Sequence, residues 1–529
     1  MLGAGLYLAH RDSLTTDEGI HVASGYLILT RGDWRFDPEH PPLMKLLTAL
    51  PLLTLHLHLP PDDQKLWAAA EPTLFDSWSS SREWTDQWFY RSSNNADLMV
   101  FLMRIPAVLL LVLLGFLTFV AAKRWFSENV GLWALLLVAF NPTLLGHGHL
   151  ANDDVAVAAA LLGSLIALIN WYKAPSTLSA FWVGLLVAAT VCVKFSGVIV
   201  LVPLFAVLYS AIRGKKPHLW QSSAVVAGTV YVGIWALYGF RSSVSLSEPS
   251  VAAIFLHNQG LRISVAAINR ALAYLRHFLP IPFLKGLLLV RTSTFFGRGA
   301  YIFGHHYDRS VWFYFPALFL IKTQLIALLC GLWAFMTLTW RKLLLSPIEN
   351  WLLAVAIGTI TLSALVSRLD LGIRHIATIL PLLSIALACV LARWKLIGTL
   401  LFIPLYVVPA LIQLPNSLGF TNELVQPYTQ AWRFMDGSNL DWGIQAKEAA
   451  SELNRLYPGT TVATDYYWNP YALGYYGMRT KPFDPEILPV GTPILVSASN
   501  MNDPHLAGLQ QHKPVSIISN STFVYYIQP

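Results

Sequence analysis

The chain has 529 residues, 55% of them hydrophobic and only 12% charged, with a mean hydropathy of +0.52. Soluble proteins carry about 25% charged residues, so this composition excludes an ordinary soluble enzyme and indicates an integral membrane protein with many spans. The formal charge of +7 is not a nucleic-acid footprint, because the basic residues are scattered at the ends of apolar segments.

In chain order, "MLGAGLYLA" comes first, followed by His10 and Arg11. These nine residues are too few to cross a bilayer. A longer first span is therefore expected, its start misassigned or the chain cut, because a signal peptide would need a basic start and a cleavage site. Ten complete spans are expected near 98–122, 130–146, 153–171, 177–193, 195–212, 221–239, 311–337, 350–367, 375–392 and 396–414. One alternating set of loops carries Lys123, Arg124, Lys173, Arg213, Lys215, Lys216, Arg341, Lys342, Arg393 and Lys395. The positive-inside rule makes that set cytoplasmic. The long segments, 11–97, 240–310 and everything after 414, then face outward. The cytoplasmic loops are too short for a catalytic domain, so any chemistry is expected outside. Cys192, Cys330 and Cys389 lie in apolar runs and imply neither a disulfide framework nor a thiolate metal site. No internal repeat is visible, which counts against an inverted-repeat transporter.

The densest acidic stretch follows the first apolar residues. Asp17 and Glu18 open a helical pattern with Ile20, Tyr26, Leu27 and Leu29 on its apolar side, and Gly32 suits its stop. Asp17 stands where an N-cap would, so simple capping competes with a functional role. "EHPP" then starts a second helix, with Pro41 or Pro42 in its first turn and a lipid-facing stripe of Leu43, Leu46, Leu47, Leu50 and Leu53. The two helices are expected to lie flat on the membrane, holding Asp17, Glu39 and His40 at its surface. Glu18-x-x-His21 is half of a di-iron motif without its second copy and is set aside.

"NPTLLGHGHLANDD" (141–154) follows at the outer end of two spans. Asp153 and Asp154 precede a long apolar helix, where acids are costly and usually functional, or cap it. His147, His149 and Asp153, or Glu39 from the first loop, are metal candidates without strict ligand spacing. Opposite charges come from Lys194 in "VKFSG", Lys322 in "FLIKTQ", and Arg374 and His375 in "LDLGIRHIA". A shared anionic ligand such as a phosphate would explain several of these at once. Snorkelling to headgroups is the alternative, and the favoured one for Lys322. A helix near 261–278 aligns Arg262, Asn269, Arg270, Arg276 and His277 for headgroup contact. The tail reads as a small α/β unit, with a helix in "DWGIQAKEAASELNRLY" and strands in "TTVATDY", "TPILVSAS" and "VSIISN…TFVYYIQ".

Together, "TTDEGIHVASGYLILTRGDWRFDPEHPPLMKLL", "NPTLLGHGHLANDDVAVA", "VKFSG", "YIFGHHYDRSVWFYFPALFLIK", "LGIRHIATILPLL" and "GSNLDWGIQAKE" resemble a known family, in family order over nearly the whole chain. It is that of bacterial lipid-carrier-dependent glycosyltransferases of the GT-C fold, related to protein O-mannosyltransferases and lipid A aminoarabinose transferases. The resemblance implies an all-α polytopic membrane protein with about 10–11 transmembrane helices, the first truncated. Residues 1–414 would form the GT-C module and 415–529 an extracytoplasmic α/β domain. It implies a multi-pass protein of the bacterial inner membrane, with active site and C-terminus on the periplasmic face. The donor would be a polyprenyl-phosphate-linked sugar, and the acceptor an unknown glycan, lipid or protein. The partners would be these and membrane lipids, with no nucleic acid.

Asp17 matches the catalytic aspartate, with Glu18 beside it. Lys194, Arg374, His375 and His40 would hold the donor phosphate, supported by the acids Glu39, Asp153 and Asp154. His40 departs from the Lys that aminoarabinose transferases carry there, which puts that contact in question. No cofactor is certain, and a divalent metal is possible. Ligation of a lipid-linked glycan and transport or flipping of a lipid-linked sugar are the rival functions. A transporter would place its ionisable groups near mid-membrane.

Overall fold

In the computed structural model, the described residues are 1–34, 36–60, 74–214, 216–240, 270, 274–336, 348–394, 396–466, 470–484 and 489–528. The fold is mostly helical, with a small sheet near the C-terminus. All ten expected apolar segments are helical. Among the described residues, four helices are individually long and apolar enough to cross a membrane: Ala96–Trp125, Asp154–Lys173, Phe195–Arg213 and Ile348–Leu365. The count rises to six if two bent pairs each form one span. The Asp154–Lys173 helix is covered on nearly all sides, so its two leading acids enter the middle of the bundle.

The bent pairs correct two expected straight spans. Glu128–Ala139 turns by 60° into Pro142–Gly148. Pro142 cannot donate to the preceding turn, and Asn141 caps the new helix by accepting from the Leu144 amide at 3.0 Å. Tyr314–Lys322 turns by 116° into Leu325–Met336. The backbone freed there is re-satisfied by side chains, as apolar surroundings require. Asn422 Nδ2 donates to the Thr323 carbonyl at 2.8 Å, and Gln324 Nε2 donates to the Phe140 carbonyl at 2.8 Å.

The segment 11–97, expected to face outward, forms helices at Glu18–Arg31, Pro42–Ala49 and Leu74–Tyr90. Every residue of the first helix from Glu18 to Ile28 is buried in protein. Gly25 allows this, since a Cβ there would collide with the Lys45 carbonyl of the crossing helix. In the second helix Leu43, Leu46 and Leu47 are half-buried, while Leu50 and Leu53 of the 3-10 turn that follows, Leu50–Thr54, are exposed. Gly32 ends the first helix in the left-handed region, φ 64°, which favours glycine.

The tail holds a five-stranded sheet in the order β4-β3-β5-β7-β6: β3 Thr461–Asp465, β4 Arg479–Pro482, β5 Pro493–Ser497, β6 Ser516–Ile518 and β7 Thr522–Tyr526. β4, β3 and β5 are parallel, and β7 and β6 are antiparallel. The Ala446–Leu456 helix packs on it through Ala446, Ala449, Ala450 and Leu453. The sequence reading found this helix and four strands, and missed β4 and the short hairpin of β1 Ala300–Ile302 with β2 His305–Tyr307. Arg262 and Asn269 of the expected headgroup helix lie outside the described residues, while Arg270, Arg276 and His277 are exposed.

Candidate active site

Asp17 occupies the N-cap position but its side chain caps nothing. Its carboxylate instead accepts from Arg374 Nη2 at 3.1 Å and from the Thr16 hydroxyl at 3.1 Å. Arg374 belongs to a short 3-10 turn, Ile373–Ile376, that precedes the Ile379–Leu391 helix. Its other terminal nitrogen lies 3.7 Å from Asp154 Oδ2. Asp154 in turn pairs with Lys194, whose ammonium also reaches Asp153 Oδ1 at 2.9 Å. The order Asp17–Arg374–Asp154–Lys194–Asp153 is thus one alternating network. It joins the start of the Glu18–Arg31 helix, the start of the buried central helix, the residue after Thr177–Val193 and the 373–376 turn. The ring of Trp442 covers Arg374 at 4.1 Å, and sequence reasoning did not single this residue out.

The network is not fully paired internally. Among the described residues, Arg374 Nε, Asp153 Oδ2, Asn152 Nδ2 and both ring nitrogens of the buried His147 have no hydrogen-bond partner. Buried polar groups usually have one, so these groups keep unspent hydrogen-bonding capacity. His375 stands half-buried beside Arg374 in the same 3-10 turn.

His40 is anchored through Nδ1, 2.8 Å from Asp37 Oδ1. Burial alone would lower its pKa, but the Asp37 carboxylate, with Asp153 and Glu39, outweighs burial and raises it to about 9. The expected weakness of a neutral histidine is thereby removed. Asp37 carried no motif signal, since its left-handed backbone (φ 50°) and its buried partners are tertiary features. Glu39 accepts from Ser293 Oγ at 3.2 Å.

Glu18 has a different role from its neighbour. It is fully buried and forms a two-pronged pair with the fully buried Arg104, Nε to Oε1 at 2.8 Å and Nη2 to Oε2 at 2.7 Å. It also accepts from the amides of Thr15 at 3.0 Å and Ala151 at 2.7 Å. Lys322 does not snorkel as expected. It is buried and donates at 2.7 Å to the carbonyls of both Leu418 and Asn439, so its head is satisfied inside the protein.

The expected metal candidates are not brought together. His149 is committed through Nδ1 to the Leu145 carbonyl at 3.0 Å and through Nε2 to Asp12 at 3.1 Å. Among the described residues the one convergent ligand group is His21, Asp37 and His40. Its donor set fits a divalent cation poorly. Asp37 already lies 2.9 Å from His21 Nδ1, and the Lys45 ammonium stands 3.7 Å away on the same oxygen, so a resident cation holds the carboxylate.

No protein-family model matches the chain, and no curated protein matches it by sequence. Its structure is similar to that of ArnT from Cupriavidus metallidurans bound to undecaprenyl phosphate. The TM-score is 0.50 at 12% identity, over 99% of this chain and 96% of that one. It is also similar to the apo oligosaccharyltransferase of Archaeoglobus fulgidus, with a TM-score of 0.48 at 13% identity, over 90% of this chain and 63% of that one. The chain has the GT-C membrane fold that its motifs imply.

Proposed function

We propose that the chain transfers a sugar from a polyprenyl-phosphate carrier to an acceptor hydroxyl at the outer face of a bacterial inner membrane. The alternating network of Asp17, Arg374, Asp154, Lys194 and Asp153 carries this reading. It puts a partly accessible carboxylate beside two cations at the ends of apolar helices. A transporter would need such groups near mid-span. The binding of undecaprenyl phosphate by ArnT agrees with a lipid phosphate as the ligand, and the same chemistry serves a glycan ligase.

Asp17 takes the acceptor hydroxyl proton as the oxygen attacks the anomeric carbon. The bond from that carbon to the phosphate oxygen breaks, and the phosphate leaves with the electron pair. Lys194, Arg374 and the charged His40 stabilise the growing negative charge. Single displacement inverts the anomeric centre. The phosphate leaves already ionised, so no strong general acid is needed. Before transfer the cations are held by Asp153, Asp154 and Asp17, which keeps them charged in a low-dielectric setting.

Lys194→Ala and Arg374→Ala should each weaken binding of polyprenyl phosphate by about tenfold or more, and slow turnover as well, because a phosphate contact operates in ground and transition states. Normal affinity and rate in both variants would make these cations structural. The direct test incubates membranes holding the protein with labelled polyprenyl-phosphate sugars, with and without EDTA. Transfer of one label supports the reading, and no transfer of any label rejects it. Sensitivity to EDTA would show that a divalent ion is required.

Orientation has its own test. A reporter active only in the periplasm should be active when fused after Gln528 and silent when fused after Gly214. The reverse pattern would place Asp17 in the cytoplasm, where the donor head is not expected.

A further inference from the structure

We propose that the C-terminal unit is part of the transfer site, with Asn439 and Trp442 as positioning residues that aim Arg374 at Asp17. This rests on the transferase reading above. The stretch "SNLDWG" (438–443) lies just ahead of the Ala446–Leu456 helix, yet its contacts run into the membrane module.

Ser438 Oγ donates to the Leu371 carbonyl at 2.7 Å. Gly372 lies so close beneath it that a Cβ would collide with that hydroxyl, and its φ of +123° suits only glycine. Asn439 Oδ1 accepts from the Ile373 amide at 2.9 Å, one residue before Arg374. The Asn439 carbonyl accepts from Lys322 at 2.7 Å, which pins the stretch from the other side. The backbone leading into the arginine, residues 371–373, is therefore set by the tail.

Trp442 sets the side chain. Its ring lies 4.1 Å from the Arg374 guanidinium carbon, and it is buried with Leu150, Leu418 and Ile444. A cation over a desolvated indole face is attracted to it, and the planar guanidinium is oriented by it. That orientation sends one terminal nitrogen to Asp17 and the other toward Asp154. Trp442 adopts a left-handed backbone, φ 42°, which a bulky residue keeps only where its surroundings hold it. Asp441 supplies the hold, accepting from Ser499 Oγ at 2.6 Å and the Ser499 amide at 3.2 Å, just beyond β5. The sheet unit is thus connected through Asp441 and Trp442 to Arg374 and Asp17. Without the indole, Arg374 is free to turn wholly toward the aspartates at 153 and 154.

The test is a double-mutant cycle on the full-length protein in membranes. Trp442→Leu should lower transfer by about 10- to 100-fold, the range expected for a misaimed catalytic group, and weaken polyprenyl phosphate binding. Trp442→Phe, which keeps an aromatic face, should recover most of that loss. In an Arg374→Ala background, Trp442→Leu should weaken lipid-phosphate binding no further. Additive losses in the cycle would overturn the proposal. Equal losses in Trp442→Phe and Trp442→Leu that follow melting temperature would also overturn it, making Trp442 a packing residue only. The transferase reading fails separately, if the unaltered protein transfers no label from any polyprenyl-phosphate sugar.

Discussion

Asp17→Asn should lower sugar transfer by about 100- to 10,000-fold, the usual contribution of a general base, while protein level and melting temperature hold. The substitution keeps size and removes charge and proton-accepting ability. Helix capping is no confounder, because the Asp17 side chain caps nothing. The local cost is one ion pair with Arg374, and Arg374 keeps Asp154 as a partner. Transfer rate per folded protein is the measurement. A near-normal rate would move the search for the base to Asp153 or Asp154.

Glu18→Gln should act on folding instead, lowering stability by about 3–5 kcal/mol, the cost of breaking a buried pair. Domains are held by only about 5–15 kcal/mol, so little folded protein should remain. The reason is in the donor count. Arg104 gives Glu18 two hydrogen bonds and spends its remaining donors on the Asp12 carbonyl at 2.6 Å and the Ser13 carbonyl at 2.7 Å. Glutamine leaves that guanidinium unneutralised and points an amide donor at other donors. Glu18→Leu combined with Arg104→Met should recover part of the loss, because the unpaired charge is gone. Burial raises the Glu18 pKa, but the Arg104 charge and the hydrogen bonds outweigh it and leave it below the ordinary value. A lowered carboxylate pKa adds stability above the unfolded value, and that stability is lost as pH falls through the folded value. Thermal melting of the variant in membranes or detergent is the check. A variant that melts normally but transfers slowly would return Glu18 to the catalytic set.

The adjacent pair Asp17-Glu18 shows where the sequence stops informing. Two neighbouring acids at a helix start look equivalent in sequence. One step along the helix turns a side chain by about 100°, and here that sends Asp17 to Arg374 and Glu18 to Arg104. What lies in each direction, Arg374 or Arg104, comes from residues 357 and 86 positions away. His40 shows the same limit. As a letter it is a weak phosphate ligand, and the Asp37 carboxylate beside it makes it a cation.

The membrane class, the ten apolar helical segments, the α/β tail and most of the residues that meet in the network are legible in the residue order. Those follow from composition and from periods of 3.6 and 2 residues, which are local properties. That two helices bend is a feature of the folded chain, since loop and side-chain partners at Asn141, Gln324 and Asn422 satisfy the broken backbone. That Glu18 and Lys322 are internal struts and that Trp442 reaches Arg374 are features of the same kind. Each depends on which distant groups share a low-dielectric interior. There a charge must find its partner across the fold, and spacing along the chain does not encode that partner.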